Sequence, residues 1–416
     1  MDHQLIAYAA PLFVVLIGLE LLAAHYRGRD GYRINDAISS ISLGVLSTGL
    51  GVFTGGLMVL AYWLIQQSLP WSLPADHWGT WLLALIGYDF LYYWHHRLGH
   101  QVNILWAAHV VHHQSEEYNL STALRQSGST WLLGWVFYLP LALCGVPLTV
   151  YLSAATINLL YQFWIHTRHI GSLGWFDRWF SSPSNHRVHH GSNDRYLDRN
   201  FGGISMLWDR LFGTFQPELA EEPVIYGIRS PLRSWNPLWA NLHYYCELIR
   251  LSRATRRWGD RWRLWWRAPG WLPADLADSK RLDDPRLHAK YDPPLPAGLA
   301  RYLLWQFALA YLAGLHFLAG VAARGQMANI AYGAALGLTL WIIGGLLERR
   351  PPYAALEWAR LGGIGLWLAL SSALAPAWQL AGFAVLAVTL WCWLRVAAQA
   401  SSGLQDSASS GSGASP

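Results

Sequence analysis

Three spaced histidine clusters interrupt a string of apolar segments, and they limit this chain more than any other feature. Between Tyr93 and His190 lie eleven of the seventeen histidines. The clusters are His96-Arg-Leu-Gly-His100, His109-Val-Val-His112-His113 and His186-Arg-Val-His189-His190, with His166 standing alone between the second and third. On a helix, residues three and four apart share a face. Each H-x-x-H-H triplet is therefore expected to aim three imidazoles at one point, and His96 and His100 should do the same. Neutral imidazole is the commonest metal ligand among side chains. Convergent imidazoles in this number exceed what one tetrahedral or octahedral ion needs, which points to a two-metal centre.

The remaining histidines read differently. His3, His25, His77, His243, His288 and His316 are isolated, as hydrogen-bonded or interfacial residues are. His95 points about 100° away from His96 on a helix and reads as a packing or supporting residue. The three cysteines, Cys144, Cys246 and Cys392, form no C-x-x-C pair, so neither a disulfide framework nor a zinc knuckle is supported.

Only 13% of residues are charged and 53% are hydrophobic, against roughly a quarter charged in soluble domains. The expected fold is an all-α, polytopic membrane helical bundle with a cytoplasmic histidine-rich di-metal cap. Candidate spans are residues 5–24, 41–64, 78–93, 131–143 paired with 146–164, 303–322, 330–347, 361–373 and 376–393. No basic stretch precedes the first, which reads as a retained span rather than a signal peptide. Pro147 follows Cys144-Gly145, so the paired segments read as a tight hairpin or a re-entrant pair. Twenty of the thirty Lys and Arg fall between Arg168 and Arg301, and Arg27, Arg29, Arg33, Arg349 and Arg350 mark two further loops. With the N-terminus outside, all these stretches and the histidines lie on the cytoplasmic side. The net charge of +5 is then mainly a topology signal, suited to anionic headgroups, and implies no nucleic-acid partner.

Four zones follow: N-terminal spans with the first two histidine clusters (1–165), a region completing the metal site (166–298), a C-terminal membrane unit (299–399), and a Ser/Gly-rich tail without fixed structure (400–416). The Arg- and Trp-dense residues 250–271 read as an interfacial amphipathic segment or as a solvated basic linker. Asp89 lies two helical turns before His96. It is placed to accept a hydrogen bond from a ligand imidazole, or else from Tyr92, Tyr93 or a neighbouring helix.

Nitrogen ligands with few carboxylates suit iron cycling with dioxygen, although zinc fits imidazole equally well. Structural zinc sites close with four ligands, usually including Cys. A metal transporter is the rival from another class. Transport requires ionisable groups near the bilayer midplane, and the apolar segments largely lack them. An enzyme whose oily substrate enters sideways from the bilayer fits better.

The H-x-x-x-H, H-x-x-H-H, H-x-x-H-H spacing between spans resembles the fatty acid hydroxylase and sterol desaturase superfamily of membrane di-iron enzymes. Longer runs resemble its ether-cleaving branch, the alkylglycerol (glyceryl-ether) monooxygenases. They are Tyr32-Arg-Ile-Asn-Asp-Ala37, His109-Val-Val-His-His-Gln-Ser-Glu-Glu-Tyr-Asn-Leu-Ser-Thr-Ala-Leu-Arg-Gln-Ser127, Tyr161-Gln-Phe-Trp-Ile-His-Thr167, Arg187-Val-His-His-Gly191 and Trp208-Asp-Arg-Leu-Phe-Gly-Thr-Phe215. Ala268-Pro-Gly-Trp271 and Leu347-Glu-Arg-Arg-Pro351 extend the likeness nearly end to end.

The resemblance implies two iron ions held by His96, His100, His109, His112, His113, His166, His186, His189 and His190, with His169 a candidate addition. It implies a lipid substrate hydroxylated on the alkyl carbon beside an ether oxygen, giving fatty aldehyde and glycerol. Fatty acid or sterol hydroxylation or desaturation is the alternative within the superfamily. Dioxygen and an electron donor, tetrahydrobiopterin, are the implied co-substrates; the oligomeric state stays open. Glu116, Glu117, Tyr118, Asn119 and Arg125 are candidates for pterin or glycerol contacts, or for supporting and helix-capping roles. Trp106 and Trp208 read as lining a lipid slot or as ordinary interfacial aromatics. Two departures from the family pattern stand at Gln101, where an acidic residue is usual, and at Asn185, where a histidine is usual.

Overall fold

The protein, as a computed structural model, is described over residues 3–28, 31–279, 284–371 and 375–410. Among these residues it is helical. Extended pairing is confined to two isolated bridges, Phe180 with Ser205 and Gly191 with Tyr226. The principal helices are α1 (His3–Tyr26), α2 (Ile34–Ser68), α3 (Trp78–Gln101), α4 (Asn103–His113), α5 (Leu148–Trp164) and α6 (Pro183–His189). They continue as α7 (Pro237–Ala254), α8 (Trp258–Trp266), α9 (Ala297–Gly320), α10 (Gln326–Leu347), α11 (Pro351–Leu370) and α12 (Pro376–Ser410).

Five helices are long and apolar enough to cross a membrane: α1 over Ala9–Tyr26, α2, α9, α10 and α12 over Pro376–Gln399. The chain is accordingly a multi-pass integral membrane protein. The Ser/Gly-rich end begins inside α12, whose backbone runs to Ser410, and residues 411–416 lie outside the described residues. Residues 78–93 are part of the longer helix α3, which runs on through the first histidine cluster. Asp89, His95, His96, Arg97 and His100 make its C-terminal half too polar for the five. Residues 131–143 do not form one span. They fall within short pieces, Thr130–Leu133, a 3-10 turn Trp135–Tyr138 and Leu139–Leu143, broken around Gly134 and Pro140. Gly145, at φ 78°, then turns the chain into α5 in a left-handed conformation that glycine adopts freely. The expected span 361–373 is the second half of α11, which begins at Pro351; residues 372–374 lie outside the described residues.

With 35 residues, α2 is about 52 Å long at 1.5 Å per residue, well beyond the ~30 Å of hydrocarbon. Its first half accordingly buries polar side chains, including Asn35, Asp36, Ser39, Ser40 and Ser42; Asp36, Ser39 and Ser40 bond Ser115 and Arg125 beside the second cluster, and Asn35 bonds Asp292. Helices α9 and α10 pack on α2, and α9 also on α1, around a core that includes Leu303, Leu336, Leu340 and Ile343. Within this C-terminal unit the buried Glu357 pairs with Arg360 at 2.6 Å, and Gln306 accepts from the same guanidinium.

Residues 258–266 form a helix, not a linker. Trp258, Trp262 and Trp266 recur every four residues on its exposed face, while Asp260 and Leu264 turn inward. Asn103, at the start of α4, donates its side-chain amide to the Leu264 carbonyl at 2.8 Å. This bond ties the tryptophan-bearing helix to the one that carries the second histidine cluster.

Candidate metal centre

The nine histidines sort into two convergent groups. His96, His100, His109, His113 and His189 form one, and His112, His166, His186 and His190 the other; within each, the nitrogens lie within 4.8 Å of one another. The triplets therefore do not each aim at one point, as expected from the sequence, but divide. His109 and His113 are four apart and share a face, whereas His112 is turned about 100° from its neighbour and joins the second group. In the third cluster His186 and His190 stay together and His189 crosses to the first group. The groups abut: the His113 and His190 rings stack with centroids 4.4 Å apart. His169 belongs to neither group; its backbone amide donates to Thr167 Oγ1 and its carbonyl accepts from Arg27.

Ring orientation is fixed from outside. The Nδ1 atoms of His96, His112, His166 and His189 face the backbone carbonyls of Phe201, Arg125, Gln162 and Arg199 at 2.8, 2.9, 2.8 and 3.0 Å. A carbonyl only accepts, so each Nδ1 carries the hydrogen and each Nε2 turns a lone pair inward. His100 Nδ1 lies 3.4 Å from an Asp198 carboxylate oxygen. The consequence is an array of inward-turned nitrogens in close approach, with the fixed lone pairs of His112 and His166 facing each other. His166 Nε2 stands 3.3 Å from His112 Nε2 and 3.0 Å from His186 Nε2. His109 Nε2 stands 3.1 Å from both His96 Nε2 and His113 Nε2. The buried Nε2 atoms of His100 and His189 have no hydrogen-bond partner. Two nitrogens each ~2.1 Å from a shared ion would stand ~3.0 Å apart at an octahedral angle and ~3.4 Å at a tetrahedral one. The residues fit a pair of metal ions.

Protons do not supply the missing positive charge at neutral pH. Burial, reinforced by the neighbouring imidazoles, holds His109, His113, His186, His189 and His190 well below the ordinary 6.5. Burial lowers His112 to about 4. All stay neutral, as metal ligands must.

One loop orients three rings of the first group. Asp198, Arg199 and Phe201 are the partners of His100, His189 and His96, and Asp198 and Asn200 hold the left-handed turn between them at φ 56°. The Asn200 side chain donates to the carbonyls of Asn185 and Gln216. Asp209 accepts the amides of Phe201 and Gly202 at 2.8 and 2.7 Å. Asp89 takes neither a ligand imidazole nor Tyr92 or Tyr93. It accepts the amides of Ile204 and Ser205, the Trp208 indole and the Asn158 amide. The Asn158 bond meets the neighbouring-helix alternative, and toward His96 Asp89 acts only through the loop, one step further away than a direct bond to the imidazole. Trp208 is that loop's anchor and packs edge-on to Phe90 at 4.9 Å. Trp106 lies against His100, centroids 4.9 Å apart. Asp209 and Asn200 carry no signal in the histidine spacing. Only the run from Trp208 to Phe215 marked the region. Asn185 faces away from the histidines, donating to the carbonyls of Asp177 and Phe180; Gln101 ends α3 half-buried.

The run after the second cluster is engaged within the chain. Glu116 accepts from Arg33 and the Tyr291 amide, and Glu117 pairs with Arg33, Arg168 and Lys290. Asn119 caps the helical turn Leu120–Ala123. Tyr118 donates to the Ile165 carbonyl and lies between His166 and Tyr226, ring centroids 5.6 and 5.0 Å away. Arg125 is fully buried, donates to Val111, Gln114, Ser39 and Ser40, and offers the carbonyl that orients His112. Gly44 lets this segment approach α2, since a Cβ there would stand 2.4 Å from the Leu124 carbonyl oxygen.

Two outcomes follow from this geometry. Asp89→Asn replaces one acceptor oxygen with an amide facing donors, and metal affinity, measured by chelator competition, should fall by about 10-fold or more while the helical circular dichroism is kept. For the metal-free protein, unfolded imidazoles bind protons near pH 6.5 and folded His112 only near 4. Stability is then complete above about pH 6.5 and declines as pH falls toward 4, a trend that thermal unfolding across this range reads directly.

The likeness noted from the sequence is borne out by comparison with known proteins. The family model for fatty acid hydroxylases matches residues 81–214, a stretch containing all nine histidines. Alkylglycerol monooxygenase of Homo sapiens is 38% identical over 361 residues, covering 85% of this chain and 80% of that protein. The Xenopus tropicalis enzyme of that name is 36% identical over 361 residues, covering 85% and 79%. An ornithine lipid hydroxylase of Rhizobium tropici is 27% identical over 197 residues, 46% of this chain and 59% of that one. No solved structure matches. Similarity on this scale, carried across the membrane helices as well as the histidine-bearing stretch, places the chain in the alkylglycerol monooxygenase family, as an oxygen-dependent membrane enzyme that hydroxylates lipid.

Proposed function

We propose that the protein hydroxylates the alkyl carbon beside the ether oxygen of an alkylglycerol, using two iron ions held by the nine histidines, with the histidine end of the bundle facing the cytoplasm. The observation that carries this reading is an apolar cavity of about 320 Å³ whose lining includes His96 and His109 of one group and His112 and His166 of the other. Its volume lies in the ~300–1,000 Å³ range of ligand sites. Much of the rest of its wall comes from apolar helix faces, with Phe13 on α1, Val45 on α2, Leu159 on α5 and Leu315 on α9.

Bound there, the irons would supply reductive activation of dioxygen and insertion of one oxygen atom into a C–H bond. The protein's own part is to position and to exclude water. Membrane-helix side chains hold the hydrocarbon, and the locked imidazoles confine the chemistry to one end of the slot. The C–H bond beside the ether oxygen is the weakened one. Its hydroxylation consumes one O2, two electrons and two protons and releases one water. The resulting hemiacetal then collapses to fatty aldehyde and glycerol without a further oxidant.

The donor proposed is a reduced pterin, supported by the family likeness. Glu116, Glu117, Tyr118, Asn119 and Arg125 stay the candidates for pterin or glycerol contacts, alongside the supporting bonds they make within the chain. The orientation is supported by the twenty basic residues between Arg168 and Arg301. The test offers purified, iron-loaded protein a 1-alkylglycerol, a free fatty acid and a sterol with reduced pterin and oxygen. Aldehyde from the alkylglycerol alone is the expected result. A hydroxylated fatty acid or sterol as the main product would overturn the ether assignment.

A further inference from the structure

The cavity beneath the imidazoles has a definite end, and the side chains that close it are not part of the metal centre. On α3 its lining residues run from Gly99 back to Tyr88 and no further; on α5 they run from Phe163 back to Tyr151; on α2 the last is Met58. These three meet. The Tyr151 hydroxyl donates to Met58 Sδ at 3.4 Å, and the Tyr88 and Tyr151 rings lie 6.0 Å apart. Tyr138 stacks on Tyr88 at 4.6 Å and lies 6.1 Å from Tyr151, so the three rings form one cluster. Beneath them Tyr62 stacks on Tyr151 at 4.6 Å and 13°, and its hydroxyl donates to the Val146 carbonyl. Tyr62 is 1% exposed and does not line the cavity. The polar tips are therefore spent on the protein, and Met58 with the tyrosine rings forms a closed, oil-compatible floor.

The depth is set by helix geometry. Tyr88 lies eight residues before His96 on α3, about 12 Å at 1.5 Å per residue, and Tyr151 lies twelve before Phe163 on α5, about 18 Å. The slot is thus about as deep as one leaflet of the ~30 Å hydrocarbon core. It is anchored at one end by the imidazoles and blocked at the other. A hydrocarbon chain whose oxidised carbon sits under the histidines, and which follows α3 and α5, places its methyl terminus against this floor.

Resting on the alkylglycerol reading, we infer that Met58, backed by Tyr88, Tyr138 and Tyr151, sets the longest saturated chain the enzyme accepts. Met58 is the adjustable part, an unbranched side chain at the end of a rigid aromatic cluster. Shortening it deepens the slot; enlarging it raises the floor.

The experiment takes full-length, iron-loaded wild type, Met58→Ala and Met58→Trp with a series of 1-alkylglycerols lengthening by two carbons at a time. Two readouts are recorded: thermal stabilisation of the protein by each lipid, and kcat/KM for aldehyde release. Wild type should show stabilisation that grows with chain length and then stops. Met58→Ala should move the stopping point to longer chains by at least one step, with kcat/KM there rising about fourfold for each methylene newly buried. Met58→Trp should move it to shorter ones. Stabilisation in wild type that shows no stopping point, or an unchanged stopping point in a variant that retains its iron, would overturn the floor. Wild-type stabilisation with the stopping point but no aldehyde from any member would leave the floor standing and overturn the ether-cleaving reading instead.

Discussion

Everything at this centre follows from where each imidazole carries its hydrogen. Four rings donate Nδ1–H to backbone carbonyls, and that contact alone forces the opposite nitrogen to present a lone pair to the interior. The His112 and His166 lone pairs, both fixed in this way, face each other at 3.3 Å, and burial keeps His112 from being protonated at neutral pH, so a cation between the rings relieves the arrangement. Because the acceptors are main-chain oxygens, the geometry is written into backbone placement. It does not depend on a flexible carboxylate beside each ring.

The polar machinery and the membrane architecture serve each other. Helix α2 is too long for the bilayer, and its buried Asp36, Ser39 and Ser40 reach the segment that follows the second cluster. Asp36 accepts from Ser115 just after the second cluster at 2.7 Å, and Ser39 and Ser40 receive the Arg125 guanidinium. The other flank depends on the loop from Asp198 to Ser205, clamped by Asp209 on one side and Asp89 on the other. Two acidic residues far apart in sequence thereby hold one turn, and that turn holds rings from α3 and α6. The apolar cavity reaches this centre from the membrane side, so oil-facing walls and nitrogen-facing walls meet at the imidazoles.

Much of this was legible in the residues. The histidine spacing, the scarcity of charge and the long apolar segments specify a helical membrane protein with a metal-rich end, and the four-residue spacings identify the rings that share a face. The division of each triplet was less visible. Periodicity assigns faces on one helix, whereas the choice between two adjacent sites depends on how helices cross. Asp89 was noticed for its position, and the neighbouring-helix alternative holds through Asn158, but its partners at residues 204–208, more than a hundred positions away, left no signal. The short helices between Thr130 and Leu143 read as a span because apolar composition hides the interruption at Gly134 and Pro140. The tyrosine floor also left no sequence signal, since Met58, Tyr88, Tyr138 and Tyr151 come from four separate segments.

The most direct measurement is the metal content of the purified chain and of its histidine variants after brief chelator treatment. Wild type should retain two ions per chain. His113→Ala should lose one, His112→Ala the other, and the double variant both, since these neighbours face different groups. Retention of both ions by the double variant, or a single ion lost in the same way from either single variant, would contradict the account.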